Sequence, residues 1–209
     1  MSVQRLLIAA LVTVVLATSA FAQKNELAGI IGRTFISDQG VKNFSLANNN
    51  LHSGNGLTFE VDYGRHLLGN GLTRLTFEVP VLVNIDEDLQ FDANVVPKDY
   101  RSYFITPSIR ANVFGGTAVS PWVSLGGGVG HFSPNSALEF GGKNPNGGNT
   151  VGVMQIGVGL DVRFWRSFSV RGEVRDFWSG TPNLGVVTGN SRQHNYNVGG
   201  GVMWRFGKR

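Results

Sequence analysis

The residues in this chain best suited to covalent chemistry are His131 and Ser133, which stand two positions apart in a segment of alternating polarity. Because side chains two apart on a β-strand share a face, the imidazole and the hydroxyl are expected on the same side of a sheet. A histidine base beside a serine nucleophile can hydrolyse esters when an acidic residue orients the histidine. The nearest acid is Glu139, inside a predicted loop. Since this acid is poorly placed, we predict no enzyme and keep His131 with Ser133 as the alternative.

A second candidate is a set of acidic residues in one predicted loop: Asp86, Glu87, Asp88, Asp92 and Asp99. Carboxylate oxygens are the ligands that hard divalent cations prefer. The spacing matches no calcium-loop signature, however, and acidic loops are usually solvated. We therefore predict no metal site and no cofactor.

These candidates lie on or between segments in which apolar and polar residues alternate. The clearest segment carries Leu57, Phe59, Val61 and Tyr63 on one face and Thr58, Glu60, Asp62 and Gly64 on the other. Segments of ~10 residues with this period, closed so that no strand edge is free, are how a β-barrel spans a bilayer. Little else in the chain could form a core, so we expect the apolar face to contact lipid.

Eight such segments are predicted, at 25–35, 56–65, 72–83, 100–114, 121–132, 151–165, 168–178 and 194–206. Pro80 would remove a ladder hydrogen bond from the third, which predicts a bulge or local distortion there. Short connections at 66–71, 115–118 and 165–167 alternate with long ones at 37–55, 84–99, 133–150 and 179–193. This pattern predicts an all-β fold: a closed up-and-down antiparallel transmembrane β-barrel of eight strands, with short periplasmic turns and long extracellular loops.

The inward faces collect charged residues, for which we predict a lumen salt-bridge network of Glu60, Asp62, Arg74, Glu78, Arg110, Asp161, Arg163, Arg171, Glu173, Arg175 and Arg205. Five acids against six arginines are nearly balanced, which is required because a buried unpaired charge is costly. Arginine can pair with carboxylates in bidentate fashion. An eight-stranded lumen has room only for side chains. A structural plug is therefore favoured over the alternative of a gated, narrow low-conductance pore or proton path.

Aromatic residues gather near the ends of the predicted strands, which is typical of the two membrane interfaces. Tyr63, Trp122, Trp165 and Trp204 fall at short-turn ends, and Tyr103, Trp178 and Tyr196 fall at long-loop ends. The alternation nevertheless places Trp122 and Trp165 off the lipid-facing side. These two side chains therefore depart from the predicted belt.

The N-terminus predicts export. Arg5, an apolar run at 6–17 and small residues at Ala20 and Ala22 form a secretory signal peptide over 1–22, cut before Gln23, with a retained anchor as the alternative. Residues 23–209 then form one domain. The chain has no cysteine, and its basic residues form no patch despite a net charge of +4. Nucleic-acid binding is therefore not expected.

With these features the chain resembles the small eight-stranded outer-membrane barrels of the OmpA, OmpX and opacity-protein type. Its final segment, with Tyr196, Trp204 and Phe206, is similar to their last-strand assembly signal, although three residues (207–209) follow Phe206. The resemblance implies a monomer in the cell outer membrane, contact with membrane lipid and lipopolysaccharide, and recognition by the barrel-assembly machinery. Its function would be a structural or surface-interaction, adhesion-like role, carried by loops that bind a surface ligand of unknown identity.

The segment from His131 to Ser133 is also similar to the His-x-Ser region of outer-membrane lipid A deacylases, which are eight-stranded barrels as well. The alternative function is therefore a lipid A deacylase-like hydrolase. This chain departs from that family's pattern, because the family's acid lies well beyond the serine. The long connections, rich in Asn, Ser and Gly at 48–50 and 144–149, predict mobile, exposed surfaces.

Overall fold

The computed structural model describes residues 25–43, 48–70 and 72–207. The predicted signal peptide lies outside these residues. Within them the strands are β1 (Asn25–Ile36), β2 (Gln39–Gly40), β3 (Asn50–Ser53), β4 (Asn55–Gly69), β5 (Thr73–Gln90), β6 (Asp99–Ile105), β7 (Ser108–Val113), β8 (Val119–Pro134), β9 (Asn149–Arg163), β10 (Phe168–Gly180) and β11 (Arg192–Phe206). In this part of the chain no helix is long and apolar enough to span a membrane.

The long strands form a closed antiparallel ring. Its order is β1, β4, β5, the pair β6 and β7, β8, β9, β10 and β11. β1 closes the ring, since Gly32 lies opposite Thr58 on β4 and opposite Gly199 on β11. Closure leaves no free strand edge in the wall. The predicted eight-stranded, up-and-down barrel is confirmed, with β6 and β7 together occupying one position.

The break between β6 and β7 falls at Thr106 and Pro107, opposite Pro80 of β5. Proline has no amide hydrogen to donate to a ladder. β5 itself runs through Pro80 in unbroken register with β4, so the predicted distortion lies on the neighbouring strand instead. The Thr106 amide donates to the Pro80 carbonyl at 3.3 Å, which keeps the two strands together across the break.

The two faces of the wall have opposite character. On β4, Leu57, Phe59 and Val61 are exposed outward, whereas Thr58, Glu60 and Asp62 are buried inside. β9 repeats the pattern, with Met154, Ile156, Val158, Leu160 and Val162 exposed outward. An apolar exterior around a polar interior is the arrangement that a bilayer demands. The predicted facing of the strands is confirmed.

The connections differ in length at the two ends of the barrel. At one end, here called the short-turn end, strands are joined by residues 70–72, 114–118 and 164–167. At the other, the long-loop end, the connections are residues 37–54, 91–98, 135–148 and 181–191. The second long connection is shorter than predicted. β5 continues beyond Val83 to Gln90, because it pairs there with β6 and with β3. Its register with β6 shifts at the two exposed residues Ile85 and Asp86, after which Glu87 and Leu89 face inward.

Glycine allows close contact between neighbouring strands at two positions in the wall. A Cβ atom on Gly128 would overlap the Ile105 carbonyl of β6, and one on Gly201 would overlap the Gly29 carbonyl of β1. Any larger residue would push these strands apart. The glycine-rich parts of β8 and β11 therefore let a narrow barrel close.

Candidate functional site

The short-turn half of the lumen is filled by three fully buried arginines. Arg110 projects inward from β7. Arg171 and Arg175 both project inward from β10, because residues four apart on a strand share a face. β7 and β10 are separated by β8 and β9 in the ring, so the guanidinium groups approach the barrel axis from different walls. Three like charges in one enclosed space must be neutralised by carboxylates around them.

Each guanidinium is paired with carboxylates from other strands. Arg171 holds Asp161 in a bidentate pair at 2.8 and 3.2 Å and reaches Asp62 at 2.9 Å. These bonds join β10 to β9 and, across the lumen, to β4. The ion pairs therefore cross-link the wall as well as neutralise charge.

Arg175 holds a second group of acids. Its Nη1 donates to Glu78 at 2.9 Å, and its Nε lies 2.9 Å from Glu173 and 3.3 Å from Glu60. Arg110 shares Glu78 at 3.1 Å and also contacts Glu26 of β1. Asp62 lies between the groups, within 3.7 Å of both Arg110 and Arg175. The network is continuous from β1 to β10.

Trp122 of β8 is part of this plug. Its ring lies 5.1–5.5 Å from the guanidinium carbons of Arg110, Arg171 and Arg175, and its Nε1 donates to Asp161 at 3.2 Å. Guanidinium groups are attracted to an indole face, most strongly where water is excluded. Trp122 is only 2% exposed, whereas Trp165 is 67% exposed in the β9–β10 turn. Trp122 therefore departs from the predicted belt because it is buried in the lumen, and Trp165 departs from it because it lies in a turn.

The observed network differs from the predicted residue set at three positions. Arg163 is exposed and donates to the Gly116 carbonyl at 3.2 Å, because β9 ends at this residue and the alternation no longer directs it inward. Arg74 is half-buried at the start of β5 and pairs with no carboxylate of the described residues. Glu26 was missed, although it shares a face of β1 with Ala28 and Thr34, which was the available signal.

These differences change the charge balance. The interior acids are Glu26, Glu60, Asp62, Glu78, Asp161 and Glu173, and the arginines that pair with them are Arg110, Arg171, Arg175 and Arg205. Six acids therefore face four arginines, instead of the five and six predicted. Arg205 is the weakest member, 3.7 Å from both Glu26 and Asp161.

The long-loop half of the lumen is apolar, which the sequence analysis did not predict. Phe104 stacks on Phe177 with ring centroids 5.1 Å apart and meets the edge of Phe132 at 5.8 Å. Leu82 and Val153 complete this layer from β5 and β9. All five side chains are buried. They fill the lumen above the ion pairs.

Loop residues close over the apolar layer and form a unit that we call the cap, comprising residues 37–43, 48–54, 91–98, 135–148 and 181–191. The buried residues that form its apolar core are Val41, Leu51, Phe91, Val96 and Leu184. The loops bond to one another: the Lys42 amide donates to Val187 at 2.8 Å, and the Phe91 amide donates to the Glu139 carboxylate at 3.0 Å. The described loop residues are thus packed together, while the predicted mobility of these surfaces stays a prediction.

His131 and Ser133 do face the same way, outward from β8. The imidazole Nδ1 lies 2.9 Å from the Thr150 hydroxyl of β9 rather than beside a carboxylate. Glu139 is engaged in the cap, accepting from Phe91. The three groups of the hydrolytic hypothesis are therefore not assembled in this structure.

A histidine with a carboxylate occurs elsewhere on the outer wall. His194 Nδ1 lies 2.7 Å from Asp176, and the ring stacks between Trp178 and Tyr196. Pairing of β10 with β11 brings these side chains together, so strand parity alone could not have revealed the group. Trp178, His194 and Tyr196 lie at the long-loop end, where an aromatic belt was predicted.

The acidic residues that were predicted to share the second long connection point in different directions. Glu87 is buried and accepts from the Gly56 amide at 3.1 Å and from Asn84 at 2.9 Å, whereas Asp99 accepts from Asn135. Asp86, Asp88 and Asp92 are exposed. Across the residues that the structure describes, no group of three or more acidic or histidine side chains is arranged to hold a metal ion.

The residues of the predicted assembly signal lie on β11. Tyr196 and Trp204 are exposed on the outer face, and the Trp204 ring lies 4.7 Å from that of Phe206. β11 pairs with β1 over residues 195–206 and with β10 over residues 192–204. The last described strand is therefore the one that closes the barrel.

Comparison with known proteins connects this architecture to a family. The family model described as "Outer membrane protein beta-barrel domain" matches residues 8–206. Neisserial surface protein A is 12% identical, with 89% of this chain and 98% of that one covered and a TM-score of 0.53. OprG from Pseudomonas aeruginosa is 10% identical, with coverages of 89% and 97% and a TM-score of 0.52.

A third similar structure is the outer membrane enzyme PagL. It is 14% identical, with 87% of this chain and 98% of that one covered and a TM-score of 0.42. The comparison with curated proteins gives no match. At these identities, the similarity to Neisserial surface protein A and OprG shows the fold alone.

Proposed function

Because the chain belongs to the outer membrane protein β-barrel domain family, we propose that it acts at the cell surface through its cap, in a structural or adhesion-like role. It is an outer membrane protein, so its short-turn end is periplasmic and its long-loop end is extracellular. Residues 1–22 would be its cleaved signal peptide and residues 23–209 its single domain. We further propose that it is a monomer, inserted by the barrel-assembly machinery through the strand that contains Tyr196, Trp204 and Phe206.

The observation that carries this proposal is the packed cap. Loops from three of the four long connections share one apolar core, and backbone hydrogen bonds join the first connection to the last and the second to the third. The Lys98 amide donates to Ala137 at 3.1 Å, and the Glu139 amide donates to Val96 at 3.1 Å. A surface that is already ordered loses less conformational entropy when it binds. This supports a role of the cap in binding a partner, in addition to covering the end of the barrel.

The cap also presents apolar side chains to solvent. Phe140 and Val187 are 66% and 62% exposed at positions beyond the membrane wall. Isolated exposed apolar residues are common and need no explanation. On the extracellular face of a packed cap, however, they are natural contact residues for a partner, so they are the positions to test.

The pore alternative is disfavoured by the filling of the lumen. Ion pairs occupy its periplasmic half, and Leu82, Phe104 and Phe177 occupy its extracellular half. A conducting path would have to displace both layers. The lipid A hydrolase alternative is disfavoured because His131 contacts Thr150 and no carboxylate among the described residues orients its ring.

The test is adherence of cells that display the protein. Intact cells with wild-type protein are compared with cells carrying Phe140→Ser with Val187→Ser, on surfaces coated with extracellular-matrix protein or sulfated polysaccharide. We expect adherence above vector-only cells, and its loss in the double variant. Leu68→Ser with Leu72→Ser, which changes two exposed apolar residues at the short-turn end, is the matched control. Equal heat-modifiable gel mobility shows that each variant is folded.

Adherence equal to that of vector-only cells on both surfaces would overturn the adhesion-like role. Two further measurements on the same purified protein address the alternatives. Lipid A deacylation that disappears in Ser133→Ala would make the protein a hydrolase. Stepwise conductance in planar bilayers would make it a pore.

A further inference from the structure

Four arginines line one small cavity at the periplasmic mouth of the barrel. The cavity has a volume of about 250 Å³ and is bounded by Arg74, Arg163, Arg166 and Arg205, together with Ser167. It lies directly beyond the ion-pair plug, since Arg205 also reaches Asp161 at 3.7 Å. The site is thus separate from both the cap and the outer-wall histidines.

The four side chains come from separate parts of the ring. Arg74 is the second residue of β5, Arg163 ends β9, Arg166 lies in the β9–β10 turn and Arg205 is next to the end of β11. Two ring positions lie between β5 and β9, and two lie between β5 and β11. Convergence of these side chains on one cavity is a consequence of barrel closure, and the like charges repel one another across it.

Little negative charge compensates this cluster. Within residues 25–43, 48–70 and 72–207, no carboxylate forms an ion pair with Arg74, Arg163 or Arg166, and Arg205 is 3.7 Å from its two nearest acids. Those acids are already engaged, Asp161 by Arg171 at 2.8 Å and Glu26 by Arg110. The plug arginines, in contrast, each have at least one carboxylate within 3.1 Å. The mouth therefore has unused capacity to bind an anion.

We propose that this periplasmic mouth binds a phosphate group, either the headgroup phosphate of an inner-leaflet phospholipid or free periplasmic phosphate. Guanidinium groups match the oxygens of a phosphate in geometry and charge, and a hydroxyl group adds a further donor. The oxygens of a phosphate can accept hydrogen bonds from several directions at once, which suits arginines that converge from different strands. Binding would also relieve the repulsion among them.

Both sources of phosphate have access to the site. Gly207, which follows β11 at the periplasmic end, also bounds the cavity. On its other side, Arg163 and Arg166 also bound an open groove with Phe164 and Trp165, whose aromatic side chains are exposed at the level of the membrane interface. A phospholipid could place its phosphate between these arginines and its glycerol backbone against the two aromatic rings.

The experiment measures binding to the purified, folded barrel at low ionic strength. Inorganic phosphate is titrated calorimetrically into protein in a zwitterionic detergent. Retained phospholipid is measured in parallel by native mass spectrometry after release from nanodiscs of phosphatidylethanolamine and phosphatidylglycerol. The variant is Arg74→Gln with Arg166→Gln. The matched control is Arg101→Gln with Arg192→Gln, two exposed arginines at the extracellular end.

We expect the variant with Arg74→Gln and Arg166→Gln to lose at least ~10-fold in affinity for phosphate, because each charge-assisted hydrogen bond contributes to the free energy of binding. The control should bind like the wild type. Loss of phosphate binding without any retained lipid identifies free phosphate as the ligand, and loss of retained lipid identifies the headgroup. Absence of both kinds of binding in the wild type, or equal binding in wild type and mouth variant, would overturn the proposal. Gel mobility before and after heating verifies that both variants are folded.

Discussion

The two halves of the lumen solve the same packing problem with different chemistry. The periplasmic half is filled by Arg110, Arg171 and Arg175 with their carboxylates, whereas the extracellular half is filled by aromatic and aliphatic side chains such as Phe104 and Leu82. Ion pairs are directional and connect particular strands. Apolar packing is non-directional and can extend from the barrel into loops. This difference explains why the buried residues of the cap pack against the apolar half of the lumen and not against the charged half.

The charged half is expected to be the more sensitive to a single change. Arg175 is the only arginine of the described residues within 4.0 Å of Glu60 and Glu173. Arg175→Met should therefore cost ~3–5 kcal/mol in the free energy of unfolding, since it leaves buried carboxylates unpaired. Urea unfolding in lipid vesicles measures this, with exposed Arg101→Met as the control.

A triple variant tests the physical reason for that loss. Adding Glu60→Gln and Glu173→Gln to Arg175→Met removes the stranded charges and should recover part of the stability. If the triple variant is as unstable as Arg175→Met alone, packing of the arginine stem rather than charge pairing dominates this half.

The apolar half should respond to lost volume instead. Phe104→Ala removes the ring that contacts both Phe132 and Phe177, so we expect a cost of ~3 kcal/mol from lost burial and the cavity left behind. The same urea measurement applies, with exposed Phe140→Ala as the control. A change below ~1 kcal/mol would show that the cap collapses to fill the space.

The smallest of these effects is expected where the apolar half meets the cap. Leu184 is buried in the cap, and Leu184→Ala should destabilise that unit by ~2 kcal/mol while the wall stays intact. Faster cleavage of residues 181–191 by protease, with unchanged heat-modifiable mobility, is the expected result. Exposed Val187→Ala serves as the control. Unfolding of the whole barrel at the same urea concentration as the cap would instead make the two one cooperative unit.

Much of the wall could be predicted from alternation alone. In the segment from Leu57 to Gly64 each residue's face follows from its neighbours, because the side-chain period of a strand is two. The same rule misplaced Arg163, since a strand's alternation stops where the strand ends. It also could not anticipate that β5 continues to Gln90, because the extension depends on pairing with β6 and with β3.

Which charged residues pair with one another in the lumen could not be predicted from the local sequence. Arg171 and Asp62 are 109 residues apart in the chain, yet they bond at 2.9 Å. Which inward residues meet depends on strand register and tilt around the ring, and these are properties of the closed barrel. For the same reason the apolar layer was missed: Phe104, Phe132 and Phe177 lie on three different strands and share only their height along the axis.

By itself, the sequence determined the class of fold, the number of strands, the face of nearly every wall residue and the outer membrane location, all of which depend on short-range periodicity and connection length. Only the tertiary structure decided which charges pair, that the lumen has a charged and an apolar half, that the loops pack into a cap and that four arginines converge at the periplasmic mouth. Those features arise because ring closure brings residues from distant strands to the same level along the barrel axis.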